Sequence, residues 1–283
     1  MSTIGKSPLY AQGLAERWTG PWARRSARAW SRGFGAACAR FLPRLCLLCE
    51  APCGAAPLCV PCQAFLPGAA RQRCRLCARP WGASDRCASC RETPPAYDAT
   101  VAAADYAAPL DRAITALKFS GQIGLASGLG ALLAQALCTD AARASSARLD
   151  CIVPVPLSDV RLAHRGFNQA HLIAASMLRR VVPDPDTDPD TGARGTSMRC
   201  MRPALRPGLL ARRRDTLAQS MLQWKARQAN LDHGFFAAAD LAGLRVGVVD
   251  DVMTTGATLQ AAALALKAVG AVHVVNLVVA RTA

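Results

Sequence analysis

Between Val246 and Leu259 the chain sets two adjacent carboxylates, Asp250 and Asp251, shortly ahead of a small-residue loop, Thr254, Thr255, Gly256, Ala257 and Thr258. Paired carboxylates accept hydrogen bonds from neighbouring hydroxyls. A loop of backbone N–H groups and threonine hydroxyls leading into a helix N-terminus cradles an anion. One end suits a diol and the other a phosphate, which together describe a phosphorylated sugar. The positioning elements are legible on either side. Val246, Val248 and Val249 form the short β-branched run of a buried parallel strand. The acids then fall at its carboxyl end, where open α/β sheets place their ligands. An alanine- and leucine-rich helix follows the loop. A Walker loop would need GxxxxGK[ST] and a dinucleotide fold would need GxGxxG after a strand, and this stretch has neither.

A second chemistry lies near the amino terminus. Cys46-x2-Cys49-x9-Cys59-x2-Cys62 recurs as Cys74-x2-Cys77-x9-Cys87-x2-Cys90, each cysteine displaced by 28 residues. A CxxC turn presents two thiolates to one metal, and two turns complete a tetrahedral four-sulfur shell. Such a shell is closed to substrate and therefore structural. The simplest assignment is one zinc per repeat. Cross-braced pairing of the first and third turns and an iron–sulfur cluster are the alternatives. Cys53 has Trp81 at its repeated position and is read as a non-ligand.

The chain has 283 residues, 13 cysteines and a net charge of +15. That length accommodates one large domain and a smaller module. The charge favours an anionic partner, either a polyphosphate or nucleic acid. It is concentrated: residues 1–45 hold eight Lys or Arg against Glu16 alone, and residues 194–214 hold seven Arg and no acid. The start shows no secretory apolar core, and no apolar run reaches the roughly 18 residues of a membrane span. The expectation is a soluble protein of a bacterial cytoplasm without stable membrane insertion, its thiols reduced or on metal.

In chain order, residues 1–41 read as a basic leader with Trp18, Trp22, Trp30 and Phe34 at multiples of four. The pattern allows one aromatic face on a basic helix, a transit-like segment, or a flexible tail. Residues 42–93 form the double zinc-ribbon-like module, closed by Thr93-Pro94-Pro95. Residues 94–283 form the α/β domain. It is expected to contain a strand from Ala99 to Tyr106, a helix from Pro109 to Phe119 carrying Lys118, and a second helix from Leu125. A strand from Asp150 to Leu157 is cut off by proline. It delivers a loop with Arg161, His164 and Arg165, and arginines of this kind clamp diphosphates. Alternating acids and prolines, then Gly, Pro and Arg, mark 183–211 as a disordered insertion. A helix start is expected at Arg213-Arg214-Asp215-Thr216, and a last buried strand at Val272 to Val279.

The signature stretch resembles the phosphoribosyl-pyrophosphate (PRPP) motif of type I phosphoribosyltransferases. Together with YxxPLxxxIxxLKFxG at Tyr106 to Gly121, PVPL at Pro154, RGFNQA at Arg165 and VVDDVMTTGATL at Val248, the cysteine pairs resemble the ComF family of competence proteins. The similarity covers about residues 42 to 180 and 212 to 283. It implies a five-stranded type I phosphoribosyltransferase core, a parallel sheet flanked by helices, with an amino-terminal zinc finger. It further implies that Asp250 and Asp251 hold the ribose hydroxyls and that Thr254, Thr255, Gly256, Ala257 and Thr258 hold the 5′-phosphate. Lys118, Arg161 and Arg165 would face the diphosphate, with Mg²⁺ arriving on PRPP. Asp250, Asp251 and Arg165 are the candidate catalytic residues.

By the same resemblance the biology is uptake of transforming DNA, with single-stranded DNA and DNA-uptake or recombination proteins as partners. A phosphoribosyltransferase acting on an unnamed acceptor is the first reading. A non-catalytic factor that handles single-stranded DNA or senses PRPP is the second, and a scaffold that only docks partners is the third. The leader and the insertion depart from the family pattern.

Overall fold

The structure is a computed structural model that describes residues 44–53, 58–64, 66, 72–82, 84–140, 149–181, 203–212 and 234–282. The basic leader, residues 182–202 and the helix start expected at Arg213 to Thr216 lie outside the described residues.

Five strands form one parallel sheet: β3 (Ala99–Asp105), β4 (Cys151–Pro154), β5 (Ala204–Leu205), β8 (Arg245–Met253) and β9 (His273–Arg281), in the order β3-β9-β8-β4-β5. Their near-continuous Val, Leu and Ala content is what a sheet covered on both faces requires. Successive side chains alternate between faces. On β9, Val275, Leu277 and Val279 join one core and Val274 and Val278 the other; on β8, Val249 joins the first, Val246 and Val248 the second. The first face is covered by helices α3 (Leu110–Phe119), α4 (Leu125–Asp140) and α6 (Gln169–Val181). The second is covered by α7 (Ala257–Ala268) and by an antiparallel pair, β6 (Leu210–Arg212) with β7 (Phe235–Ala237).

The cysteine repeats attach on opposite sides of this frame. Short elements mark them: β1 (Arg44–Leu45) pairs with β2 (Pro52–Cys53), α1 (Val60–Ala64) closes the first repeat, and α2 (Ala88–Glu92) closes the second. Cys46, Leu58 and Leu66 pack into the core under α4, whereas Cys74, Leu76, Cys77, Cys87 and Cys90 pack into the core under α7. The expected architecture is borne out: a parallel α/β core of the phosphoribosyltransferase type with an amino-terminal cysteine-rich module.

Three local expectations are corrected. Residues 203–211, placed in the disordered insertion, contribute β5 and most of β6 instead. Ala204 N–H donates to Asp150 O (3.1 Å) and Arg206 N–H to Ile152 O (2.8 Å). A two-residue edge strand tolerates the flanking Pro203 and Pro207, and its order comes from β4 rather than from its own composition. The loop expected at Arg161 and Arg165 is a short helix, α5 (Asp159–Arg165). Ser158 caps it by accepting from Arg161 N–H at 3.4 Å, with Asp159 in the first turn and His164 and Arg165 in the last. Finally, β8 does not stop before its acids. Pairing with β4 ends at Pro154↔Val249, but pairing with β9 continues through Asp250↔Val278 to Met253↔Arg281, which keeps both aspartates in extended backbone.

Candidate functional site

Strands β4 and β8 are neighbours whose following helices lie on opposite faces, α6 on one and α7 on the other. This is a topological switch point, and the crevice beyond the strands' carboxyl ends is where such sheets bind ligands. Asp250 and Asp251 sit there. Asp251 is 3% exposed, and its Oδ1 accepts from Lys118 Nζ at 2.6 Å. Its Oδ2 is buried and has no hydrogen-bond partner. A buried carboxylate oxygen without a donor is costly unless a ligand hydroxyl supplies one. Asp250 Oδ1 accepts from Asp251 N–H at 2.8 Å. Burial, then the charge of Asp251, pushes the Asp250 carboxyl up to about 7, against the lowering pull of Lys118 and Arg212. Two adjacent carboxylates thus differ in character: one ion-paired, the other titrating near neutrality.

The loop begins where β8 ends. Gly256 is the N-cap of α7 and has φ of 87°, a left-handed conformation that favours glycine. A Cβ there would stand 2.7 Å from Met253 Cε and 3.2 Å from the Tyr97 hydroxyl oxygen. No side chain caps the helix from Gly256, and Ala257 N–H donates to Thr255 Oγ1 at 3.3 Å. Thr254, Thr255 and Ala257 are exposed and Thr258 half-buried. The first turn of α7 therefore presents N–H groups and hydroxyls outward, the arrangement that accepts a phosphate.

Lys118 reaches Asp251 from the last turn of α3. Arg165 stands across from it: its guanidinium lies 5.6 Å from the centre of the Phe119 ring and donates to Gln169 Oε1. Lys118, Phe119, Arg165 and Asp251 are thereby gathered at one end of the sheet, while Arg161 is exposed on α5. The sequence reading passed over two further arginines. Arg212 on β6 donates from Nε to Pro156 O at 3.3 Å and is close enough to Asp250 to lower its pKa. It is one of the seven arginines of the acid-free stretch 194–214. Arg281, 1% exposed at the end of β9, donates to Met253 O and Thr254 O at the base of the loop. A lone arginine closing a long apolar strand is the available signal, because such a charge is rarely buried without partners.

The cysteines resolve into two sets, Cys46, Cys49, Cys59 and Cys62, and Cys74, Cys77, Cys87 and Cys90, with all sulfurs of a set within 4.8 Å of one another. Pairing within each repeat replaces the cross-braced alternative. Representative Sγ separations are 3.6 Å for Cys49 and Cys59 and 3.7 Å for Cys77 and Cys87. A tetrahedral shell with Zn–S bonds of about 2.3 Å needs sulfurs about 3.8 Å apart, so both sets could hold a zinc ion. Sulfurs this close surround one ion more readily than a multi-iron cluster. In each set one thiol ionises easily. Burial raises Cys46, but N–H groups around Cys59, Leu48 and Cys49 outweigh it and bring the pKa to about 6; Cys74 is brought to about 7 in the same way. Cys62 and Cys90 are pushed up by burial and by neighbouring sulfurs. That is the donor set of a site completed by a cation. Among the described residues, no helix is long and apolar enough to cross a membrane.

A parallel sheet with helices on both faces, a polar site at its switch point and two four-cysteine clusters define the class of this protein. Over 184 residues it is 33% identical to DNA utilization protein YhgH of Escherichia coli K12, covering 65% of this chain and 72% of that protein. It is 31% identical to the protein of the same name in Salmonella typhimurium over 184 residues, with the same 65% and 72% shares. Competence protein F of Haemophilus influenzae is 31% identical over 180 residues, 62% of this chain and 69% of that protein. No protein-family model matches the chain. The chain belongs to the ComF family of competence-associated proteins.

Proposed function

We propose that this chain is a PRPP-binding, phosphoribosyltransferase-like protein that acts in the uptake of DNA. The observation that carries the sugar-phosphate reading is the buried Asp251, paired through Oδ1 with Lys118 and unpartnered at Oδ2, beside an open helix N-terminus. Asp250 and Asp251 would accept hydrogen bonds from the ribose 2′- and 3′-hydroxyls. Thr254 to Thr258 would hold the 5′-phosphate on backbone N–H groups and hydroxyls. Lys118, Arg161 and Arg165 would face the diphosphate, whose own oxygens carry Mg²⁺ with them.

In turnover the bond from the anomeric carbon to the diphosphate oxygen breaks and its electron pair leaves with pyrophosphate. The lone pair of the acceptor takes the carbon and the acceptor loses a proton. The transition state is oxocarbenium-like, comparable in kind to glycoside cleavage. This chain's contribution is to fix ribose and phosphate so that acceptor and leaving group stand in line, and to place cationic side chains where negative charge develops. No covalent nucleophile is required.

The DNA role is supported by the names of the relatives, DNA utilization protein and competence protein, and by the net charge of +15. The charge also favours a second reading, a non-catalytic factor that handles single-stranded DNA and uses the PRPP site as a sensor. Calorimetric titration of Mg²⁺-PRPP into the wild type and into Asp250→Asn/Asp251→Asn, beside single-stranded DNA binding at two salt concentrations, tests the site that both readings share, and pyrophosphate release from bound PRPP separates turnover from sensing. Binding lost in the double variant is the expected outcome. Absence of PRPP binding by the wild type, with DNA affinity that falls steeply with salt, would replace the first reading by a DNA-handling factor without a PRPP site.

A further inference from the structure

The second cysteine cluster stands directly behind the loop assigned to phosphate. Arg281 joins the two. Its Nε donates to Cys77 O at 2.8 Å, and its Nη1 donates to Met253 O at 3.1 Å and to Thr254 O. The same nitrogen reaches Thr282 O at 2.6 Å and Thr282 Oγ1 at 3.0 Å. The two N–H bonds of Nη1 are shared among the Met253, Thr254 and Thr282 acceptors, and the planar guanidinium fixes their direction relative to Nε, so Cys77 O and the loop base are met together only while the Cys77 turn and the loop base keep one spacing. Tyr97 is a second, independent bridge. It is 5% exposed, its hydroxyl backs Gly256, and it is buried in the same core as Cys77 and Cys90. Electrostatics works in the same direction. A thiolate set around a metal would keep negative charge beside this buried cation. The first cluster makes a different attachment. Gly128 on α4 lies so close to it that an added Cβ would be 2.9 Å from Leu47 Cδ1, far from any of these bridges in the fold's other core.

We infer that the second cluster and the Thr254–Thr258 loop form one mechanical unit, with Arg281 as its positioning residue, so that metal at Cys74, Cys77, Cys87 and Cys90 and sugar phosphate at the loop strengthen each other's binding. The first cluster is outside this unit. The inference rests on the sugar-phosphate reading for the identity of the ligand only. Metal fixes the turn that carries Cys77 O, that carbonyl holds Arg281, and Arg281 holds the backbone of Met253 and Thr254. Coupling of this kind is reciprocal, because both ligands draw on one free-energy difference.

The test uses the full, zinc-loaded chain and times zinc release to a chromogenic chelator with and without Mg²⁺-PRPP. Cys49→Ser identifies which release phase belongs to the first cluster. In the wild type, saturating PRPP should slow the second cluster's phase roughly tenfold and leave the first unchanged, a factor that corresponds to about 1.4 kcal/mol in the barrier to release. Arg281→Lys keeps the charge but loses the fork, and should abolish the difference while weakening PRPP about tenfold. PRPP that binds the wild type without altering either release phase would overturn the coupling and leave the sugar-phosphate reading standing. Should the wild type not bind PRPP, that reading fails, and the strut is judged by hydrogen exchange instead. Arg281→Lys should then still speed exchange at residues 253–258 and hasten release from the second cluster. Unchanged exchange and release would refute it. Should Arg281→Lys not fold, the wild-type release experiment decides alone, and exchange at 253–258 before and after chelation replaces the variant arm.

Discussion

The two cysteine repeats share every spacing, yet the structure gives them different work. In the first, Cys46 is buried while Cys49 is exposed and Cys59 and Cys62 are half-buried; in the second, all four are buried. The first enters the core under α4 through Cys46, Leu58 and Leu66, with Leu47 against Gly128. The second is built into the core under α7, where Arg281, Tyr97 and the loop base meet it. It is also tied to the sheet edge: Thr100 N–H donates to Arg75 O at 2.9 Å, and Arg73 pairs with Asp105 at 2.7 Å while donating to Ala78 O. A ligand pattern therefore specifies a metal shell, but what that shell supports depends on the surface it is packed against.

The largest expected effect breaks the comparison at equivalent positions. Cys90→Ser should cost the domain cooperative unfolding or several kcal/mol of stability, because structural zinc contributes on the order of 10 kcal/mol to small metal sites and this one is fused with the core. Cys62→Ser should leave the main thermal transition in place and lose one zinc. Calorimetric melting with zinc analysis compares them directly, and equal destabilisation would erase the distinction.

A smaller effect sharpens it. Leu76→Ala empties a site that is 5% exposed in the core behind the loop, and about 2–4 kcal/mol of stability together with reduced PRPP affinity is expected. Leu47→Ala, half-buried against α4, should cost about 1–2 kcal/mol and leave PRPP affinity unchanged. Denaturant titrations beside ligand titrations read both quantities. Loss of affinity in Leu47→Ala would mean that the first repeat also supports the loop.

The last prediction is a titration. Folding raises the Asp250 pKa from 3.8 to about 7, so between these values the folded chain holds a proton that the unfolded chain has released. The contribution of this group to stability is complete below the unfolded value and is lost as pH rises through about 7. Diol binding by the ionised carboxylate should strengthen over the same upper range. Asp250→Asn should flatten both profiles, and Cys62→Ser should leave them unaltered. A pH profile of PRPP affinity that is flat in the wild type would remove Asp250 as the titrating acceptor.

How much of this was legible beforehand follows from sequence separation. The acids, the threonine loop and the eight clustered cysteines are local patterns, in which spacing within one turn or one strand already states the geometry. Lys118 was picked out by its motif, but its partner Asp251 is a matter of how α3 returns over the sheet. Ser158 and Asp159 carry the start signal of α5, which the prolines just before it mask by marking the strand's end. Residues 204–205 gave no signal of their own: a strand of two residues exists only because β4 has an open edge to receive it.

The sequence by itself determined the parallel α/β class, the acid-and-threonine stretch proposed for a sugar phosphate and the two four-cysteine sets, since alternation, turn chemistry and CxxC spacing act over a few residues. The tertiary structure decided that the repeats pack into opposite cores, that Arg212 approaches Asp250, and that Arg281 meets Cys77 across a separation of 204 residues. A buried cation is satisfied by carbonyls from whichever segments folding brings to it, and no local pattern encodes which those will be.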